Sequence, residues 1–405
     1  NGNNPVQAVE ATGSLGAIQA AAEALKAGEI VAVRGLGGFH LAVDATNESA
    51  VGRLRERKAR EAKPLAVMVP SLEEARALGM VGEAEEALFS SPERPIVLIR
   101  KLDDSPLAPS VAPGLDTVGV MPASTPLHHS PRDRVGRPLV MTSGNQTDEP
   151  MATKNQEALE RLGGIADLFL LHDREIVARC DDSVVRPTPQ GPIFLRRARG
   201  YAPLPLELPL AAPKSLVAVG PHLKNTFTLV HGGAAFVSQH LGDLENLETL
   251  DHFRESLQAY QRLFRVTPEV AVRDLHPGYL STRVARELGL GKPLAVQHHH
   301  AHVAAVAAEH GVTEPVIGLA FDGTGYGDDG AVWGGEILVA DLTGYERAGR
   351  LRYAPLPGGD LVTRQPWRAA LGYLSLEPDQ EVPFREAFRG VPEGEMEAVR
   401  QQVDR

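Results

Sequence analysis

The 405 residues are 43% hydrophobic and 23% charged, an ordinary globular composition long enough for two or more domains. The net charge of −11 argues against a general nucleic-acid-binding surface, so no nucleic-acid partner is expected. Cys180 is the one cysteine, which excludes an internal disulfide and a cysteine-clustered zinc finger. The start "NGNNPVQAVE" has no apolar signal core and no run approaches a membrane span, so a cytoplasmic protein with no membrane partner is expected.

In chain order, residues 14–27 read as a helix, "EIVAVRG" as a strand and 47–58 as a helix. "KPLAVMVP" reads as a strand, 72–79 as a helix, and "RPIVLIR" and "PLVMTSGN" as strands. "IADLFLLHD", the polar turn "RCDDS" and the strand-like "VVRP" and "PIFLRRA" complete an α/β domain. "APLPLELPLAAPKS", residues 202–215, carries four prolines and reads as an extended linker. The expected domains are 1–205, a linker at 206–214, and 215–405. Beyond the linker, "SLVAVG", "NTFTLVHGGAAFVSQH" and "VIGLAFDGTGYGDDGAVWGGEILVADL" read as strand pairs with glycine turns. A helix at 246–264, the strand "EVAVRD" and a helix at 278–288 lie between them. Hairpins followed by α/β crossovers suggest a lobe of an actin-like or sugar-kinase-like domain. The chain begins without Met and stops in a charged helical pattern, which reads as a piece of something longer.

Five stretches could carry chemistry. "KPLAVQHHHAHVAAVAAEHG", residues 292–311, puts four histidines into five positions. Its Leu-Ala-Val reads as the end of a buried strand. The run after Gln297 lacks Gly and Pro until Gly311 and reads as a helix, so His298 and His302 are one turn apart on one face. That spacing lets two imidazoles meet one cation, with a third ligand from elsewhere; capping and surface histidines are the bland alternative. "LAFDGTGYGDDG", 319–330, delivers Asp322 at the end of an apolar strand and offers it as that third ligand. Gly323, Thr324 and Gly325 follow, a glycine turn of the kind that holds phosphates through backbone N–H groups. "RLRERKAREAKPL", 53–65, has six basic residues against two acidic ones and sets Lys58, Arg60 and Lys63 where a helix runs out before Pro64. It suits a polyphosphate or a carboxylate, or is a solvated helix face. "MTSGNQTDEP", 141–150, ends a buried strand in hydroxyl, amide and free N–H groups, a common ligand-holding edge or an ordinary polar turn. The glycines of "RGLGGFHLAVDA", 34–45, could let a ligand approach the backbone but are weak alone. "CDDSVVR", 180–186, with "LRRARG", 195–200, offers two acids, a serine and clustered arginines that could close a nucleotide site, which a salt-bridged strand pair explains equally well.

In this order the pieces resemble the hydrogenase maturation carbamoyltransferase family HypF. "GLGGFHLAVDA", "RKAREAKPLAVM", "TSGN", "RCDDSVVR", "RRARGYAP", "LKNTFTL", "SQHLGDLEN", "QHHHAH" and "FDGTGYGDDGAVWGGE" all look like that family's blocks. The resemblance implies a YrdC-like α/β domain with a twisted mixed sheet, then an actin-like domain similar to the tRNA-modifying TsaD family. It implies ATP with Mg2+ as substrate, and carbamate, derived from carbamoyl phosphate, adenylated in the YrdC-like part. It implies carbamoyl transfer to the C-terminal cysteine of the partner protein HypE. Lys58 and Arg60 match the family's lysine–x–arginine and would neutralise the phosphates and the departing pyrophosphate. Ser143 and Asn145 match its serine–x–asparagine, and Ser183 and Arg196 lie in its closing segments. His298, His302 and Asp322 match the ligands of one divalent metal, Fe2+ or Zn2+. The family also carries an acylphosphatase domain, zinc fingers and a second actin-like lobe with a further ligand aspartate. Their sequence is expected to be absent here, which implies adenylation without the complete reaction.

The alternatives are an antibiotic O-carbamoyltransferase, which places the TsaD-like domain first, and a threonylcarbamoyl-adenylate synthase, which needs an L-threonine pocket. An RNA-binding module conflicts with the acidic net charge, and a non-enzymatic scaffold gives no reason for two histidines at helical spacing with Asp322.

Overall fold

The structure is a computed structural model that describes residues 14–146, 149–359, 361–376 and 388–403. The first thirteen residues, Thr147 and Asp148 of the "MTSGNQTDEP" turn, and the last two residues lie outside the described residues. The chain divides into two compact units, one running to Ala295 and one from Val296.

The first unit opens with an α/β segment. Its strands are β1 (Val31–Arg34), β2 (Phe39–Asp44), β3 (Val67–Val69), β4 (Gly79–Met80), β5 (Ile96–Lys101), β6 (Thr117–Pro122), β7 (Leu139–Ser143), β8 (Leu168–Leu170), β9 (Val184–Arg186) and β10 (Ile193–Arg196). Its helices are α1 (Ser14–Lys26), α2 (Glu48–Arg57), α3 (Leu72–Leu78), α4 (Glu83–Ser90), α5 (Pro126–Val135) and α6 (Asn155–Leu162). The strands form one sheet in the order β10-β9-β5-β6-β3-β7-β2-β1-β8, with β4 beside β5. Both directions occur: β3 runs parallel to β6 and antiparallel to β7. Every residue of β2 is buried, because apolar layers cover both faces. Phe39, Leu41 and Val43 point into one core, and Ala42 joins Val31 and Val33 in the other, the period-2 alternation of a strand. The sequence pattern finds most of these elements. It misses β2, β4, β6, α4, α5 and α6.

The segment after β10 has its own core, built on Val217, Phe227, Leu229, Phe253 and Leu257. Its strands are β11 (Leu206–Glu207), β12 (Leu216–Ala218), β13 (Thr228–His231), β14 (Ala234–Val237), β15 (Val270–Asp274) and β16 (Leu294–Val296), in the order β11-β14-β13-β12-β15-β16. α7 (Leu247–Phe264) carries the crossover that sets β15 parallel to β12, and α8 (Leu280–Glu287) comes next. The proline-rich stretch is not a loose linker: Leu206 and Glu207 pair with Ala235 and Ala234. The short strand before the histidines is not buried as its apolar residues suggest, since Leu294 is 59% exposed.

The second unit holds α9 (His298–Glu309), then the antiparallel sheet β17 (Val316–Tyr326), β18 (Val332–Ala340) and β19 (Tyr345–Arg350), then α10 (Leu361–Arg364), α11 (Trp367–Leu374) and α12 (Glu393–Val403). Gln297 caps α9, its side chain accepting from the His300 N–H at 2.8 Å. The Val303 side chain sits where a Cβ on Gly318 would fall, so the helix lies close against β17.

Candidate functional site

The basic stretch in the first unit is wound into a cavity wall. α2 starts on its Asn47 cap and ends at Lys58, and Ala59 takes a left-handed φ of 50° that turns the chain sharply. Arg55, 9% exposed, pins the turn from beneath: its guanidinium donates to the carbonyls of Arg60, Glu61, Ser110 and Val111. Lys58 is 4% exposed, and its ammonium donates to the Ser143 carbonyl at 2.8 Å, the Asn145 carbonyl at 2.6 Å and Asn145 Oδ1 at 2.7 Å. Ser143 Oγ donates to the same Oδ1 at 2.7 Å, so the β7 end and the α2 end are locked together. Gly144 is required there, since a Cβ would fall 2.7 Å from the Phe39 carbonyl oxygen.

A cavity of about 530 Å3 opens over this junction. Lys58, Arg60, Lys63, Ser143, Asn145 and Arg196 line it, the set expected from sequence. Burial first, then Arg60, pull the Lys58 ammonium down to about 7, against the opposing charge of Asp181. Its three oxygen acceptors match the three donors of the charged form. Burial, then Arg196 and Arg55, lower Arg60 to about 10, so it stays charged at neutral pH. Six Lys and Arg side chains line the cavity against four Asp and Glu, an excess of cations that suits a polyanion.

Ser183 is placed differently. It is fully buried, donates to the Arg199 carbonyl at 2.9 Å and accepts from the Ala198 N–H at 2.8 Å, so it braces the β9 approach behind the cavity wall. Asp181, one of the two acids of "CDDSVVR", lines the cavity too, whereas sequence reasoning passes over Arg179, Lys224, His240 and His252, which also line it. "SQHLGDLEN" contains His240 and holds a usable signal, three polar side chains directly after a strand.

In the second unit the expected trio comes together. His298 Nε2 and His302 Nε2 are 3.2 Å apart, and Asp322 Oδ2 lies 3.3 Å and 3.6 Å from them. Ligands about 2.1 Å from one tetrahedral ion stand roughly 3.4 Å from each other. Asp322 Oδ2 is buried without a hydrogen-bond donor, an orphan that a cation between the three atoms would satisfy. The donor set of two imidazoles and a carboxylate therefore fits a divalent ion. Burial alone would raise the Asp322 carboxyl, but His298 and His299 outweigh it and hold it far below the usual range.

His299, fully buried, supports the trio. Its Nδ1 meets Gln297 Nε2 at 3.1 Å, and its Nε2 meets Asp322 Oδ1 at 3.0 Å. The amide can only donate, so the ring carries its hydrogen on Nε2 and gives it to the carboxylate. His300 turns elsewhere, its Nε2 at 2.9 Å from the Asp341 carbonyl. Asp322 does not end its strand, as expected from sequence. β17 runs on to Tyr326 with a register shift between Phe321 and Gly325, and that irregularity aims Asp322 at the helix. Gly323 and Thr324 are exposed, and Gly325 is buried against the histidines, where a Cβ would fall 2.5 Å from His299 Cε1.

A mixed-sheet α/β segment bearing a cation-lined cavity, joined to hairpin-and-crossover segments bearing a His/Asp cluster, defines a YrdC-like domain followed by Kae1-like, actin-related ones. Residues 23–198 match the Sua5/YciO/YrdC family model, described as telomere recombination. Residues 211–309 match the HypF Kae1-like domain, and 318–405 the second subdomain of the carbamoyltransferase Kae1-like domain. Sequence of that second subdomain, expected to be missing, is therefore represented in the chain. Carbamoyltransferase HypF2 of Cupriavidus necator is 52% identical over 373 residues, covering 86% of this chain and 46% of the relative. The crystal structure of full-length HypF in its phosphate- and nucleotide-bound form superposes with a TM-score of 0.90 at 46% identity, over 96% of this chain and 51% of that one. The crystal structure of T. kodakarensis HypF gives 0.85 at 41% identity, over 89% and 47%.

The chain belongs to the HypF carbamoyltransferase family and spans about half the length of the relatives it matches.

Proposed function

We propose that the first unit binds ATP in the 530 Å3 cavity and forms carbamoyl-adenylate there. The observation that carries this reading is the cluster of Lys58, Arg60, Lys63 and Arg196 around one cavity, interlocked with Ser143 and Asn145. A carbamate oxygen attacks the α-phosphorus, the bond to the bridging oxygen breaks, and pyrophosphate leaves. Negative charge grows on the leaving group, and fixed cations in a partly dry cavity favour that state over the ground state. Mg2+ would accompany the nucleotide. The related crystal structure of full-length HypF is phosphate- and nucleotide-bound, which supports nucleotide binding in this reading.

The second unit's His298, His302 and Asp322 would hold one divalent ion, Fe2+ or Zn2+, beside Gly323, Thr324 and Gly325. Such an ion supplies Lewis acidity toward a carbonyl or phosphoryl oxygen. The chain's own contribution is to fix Asp322 through His299 and to keep both histidine Nε2 atoms on one side of α9. In this reading the domains divide as 1–205 for adenylation and 215–405 for transfer. The carbamate derives from carbamoyl phosphate, the acceptor is the C-terminal cysteine of HypE, and the protein works in the cytoplasm. Among the described residues no helix is long and apolar enough to cross a membrane.

The test is ATP titration by calorimetry, followed by ATP–pyrophosphate exchange with ammonium bicarbonate as the carbamate source. Wild type should bind ATP and exchange; Lys58→Ala and Arg60→Ala should bind more weakly. Unchanged ATP affinity in both variants overturns the assignment. Exchange that requires L-threonine would favour a threonylcarbamoyl-adenylate synthase instead, the activity class of the first segment's broader family.

A further inference from the structure

The adenylation cavity has a second wall that comes from a different part of the chain. Lys224, His240, Leu241, Gly242, Asp243, Thr249 and His252 line it, and all lie in the Kae1-like segment of the same unit. The chain after β14 is tied to the YrdC-like segment at three points. Gln239 Nε2 donates to the Arg179 carbonyl at 3.3 Å, the His240 N–H donates to the Arg197 carbonyl at 3.2 Å, and Arg197 donates to the Val237 carbonyl at 3.2 Å. His240 is thereby fixed beside Asp181, with Nδ1 at 3.1 Å from Asp181 Oδ2.

That contact sets the chemistry of the ring. An ionised carboxylate only accepts, so Nδ1 carries a hydrogen, and the tautomer of the neutral ring selected by this contact keeps its lone pair on Nε2. Among the described residues Nε2 has no hydrogen-bond partner, and the ring lines the cavity. In that tautomer it offers an acceptor to a cavity that Lys58, Arg60, Lys63 and Arg196 line from the other side. His252 is engaged differently: its Nδ1 lies 3.3 Å from Ser256 Oγ, which accepts from Gln239 Nε2 at 3.2 Å. Glu149 and Asp243 also line the cavity, but each already takes a donor, from Arg161 at 2.6 Å and the Lys224 N–H at 2.6 Å. As carboxylates they would also repel an anionic substrate.

Building on the adenylation reading, we propose that His240, oriented by Asp181, is a specificity-determining residue that accepts a hydrogen bond from the amino group of carbamate. Cations alone hold any small carboxylate. Carbamate differs from acetate in its N–H donors, and only an acceptor at that end can require them; bicarbonate carries one O–H there and is discriminated less. A site built to bond a substrate N–H discriminates strongly against analogues without one, because its own polar group is then left unpaired.

The experiment uses the full 405-residue chain. ATP–pyrophosphate exchange is measured against ammonium bicarbonate, bicarbonate alone and acetate, with ATP affinity measured separately by calorimetry. The variants are His240→Phe, which keeps a ring but removes the acceptor, and Asp181→Asn, which can donate to Nδ1 and move the ring hydrogen to Nε2. In both, the KM for carbamate should rise roughly 10- to 100-fold, the range of one lost buried hydrogen bond. The preference over acetate should shrink by a similar factor, while ATP affinity stays within about threefold. An unchanged carbamate KM in a folded His240→Phe overturns the proposal, as does an unchanged KM in Asp181→Asn if the first variant does not fold. ATP affinity falling in step with carbamate KM also overturns it, by placing His240 at the nucleotide. Wild type that binds ATP but shows no carbamate-dependent exchange removes the adenylation reading itself, and this inference with it.

Discussion

The two candidate sites are built in opposite ways. The histidine cluster is nearly local: two side chains one helical turn apart and a carboxylate from the next strand, all within residues 298–322. The cation-lined cavity draws on residues 58–63, 143–151, 179–196 and 224–252. A local site depends on few tertiary contacts and is sensitive to single ligands. A distributed site spreads its binding over many weak contacts, so no one change should abolish it. The contrast can be pressed by experiment.

The largest effect belongs to the histidine pair. In His298→Ala/His302→Ala two of the three ligand atoms are gone, and metal content should fall from about one ion per chain to background by elemental analysis. Equal metal in wild type and variant would place the ion elsewhere. The cavity should respond more gently. Lys58→Ala removes a charged donor bound to three oxygens, and ATP affinity should drop by about 1.5–3 kcal/mol. A complete loss would show that the cavity depends on one residue after all.

His299→Ala sharpens the comparison inside the local site. It leaves every candidate ligand in place but removes the donor that fixes Asp322 Oδ1, so metal affinity should fall roughly 10- to 100-fold without a change in stoichiometry at saturation. Competition with a chelator reads this directly.

The smallest effect is a proton. Burial holds Lys58 near 7, below the ordinary lysine value of about 10.4. Between those values the unfolded chain binds more protons than the folded one, so this residue weighs most on the fold at about pH 7 and below. Its burden lifts as pH rises toward 10. Bound phosphates favour the ammonium and push its value back up. ATP binding at pH 8 should therefore take up a fraction of a proton, and affinity should weaken as pH rises from 7 to 9. Calorimetry in two buffers of different ionisation enthalpy measures the uptake, which should shrink in Lys58→Arg.

The family blocks, the alternation of strands and helices, and the metal trio are all legible in the sequence, because each rests on short-range spacing. Two histidines at i and i+4 face one way in any helix, and Gln297 starts the helix where the pattern says. Lys58, Arg60 and Asn145 are legible as motifs, though not as partners. Tertiary structure alone decided three things. It turned Ser183 inward, since its hydroxyl bonds the Arg199 carbonyl and the Ala198 N–H. It moved Asp322 from a strand end to a strand irregularity, because Gly323 and Gly325 let β17 continue past it. And it brought His240 to Asp181 across 59 positions of chain. No periodicity encodes a contact at that separation; it exists because the strand β14, whose Phe236 packs half-buried against the second segment's core, leaves its end beside the cavity.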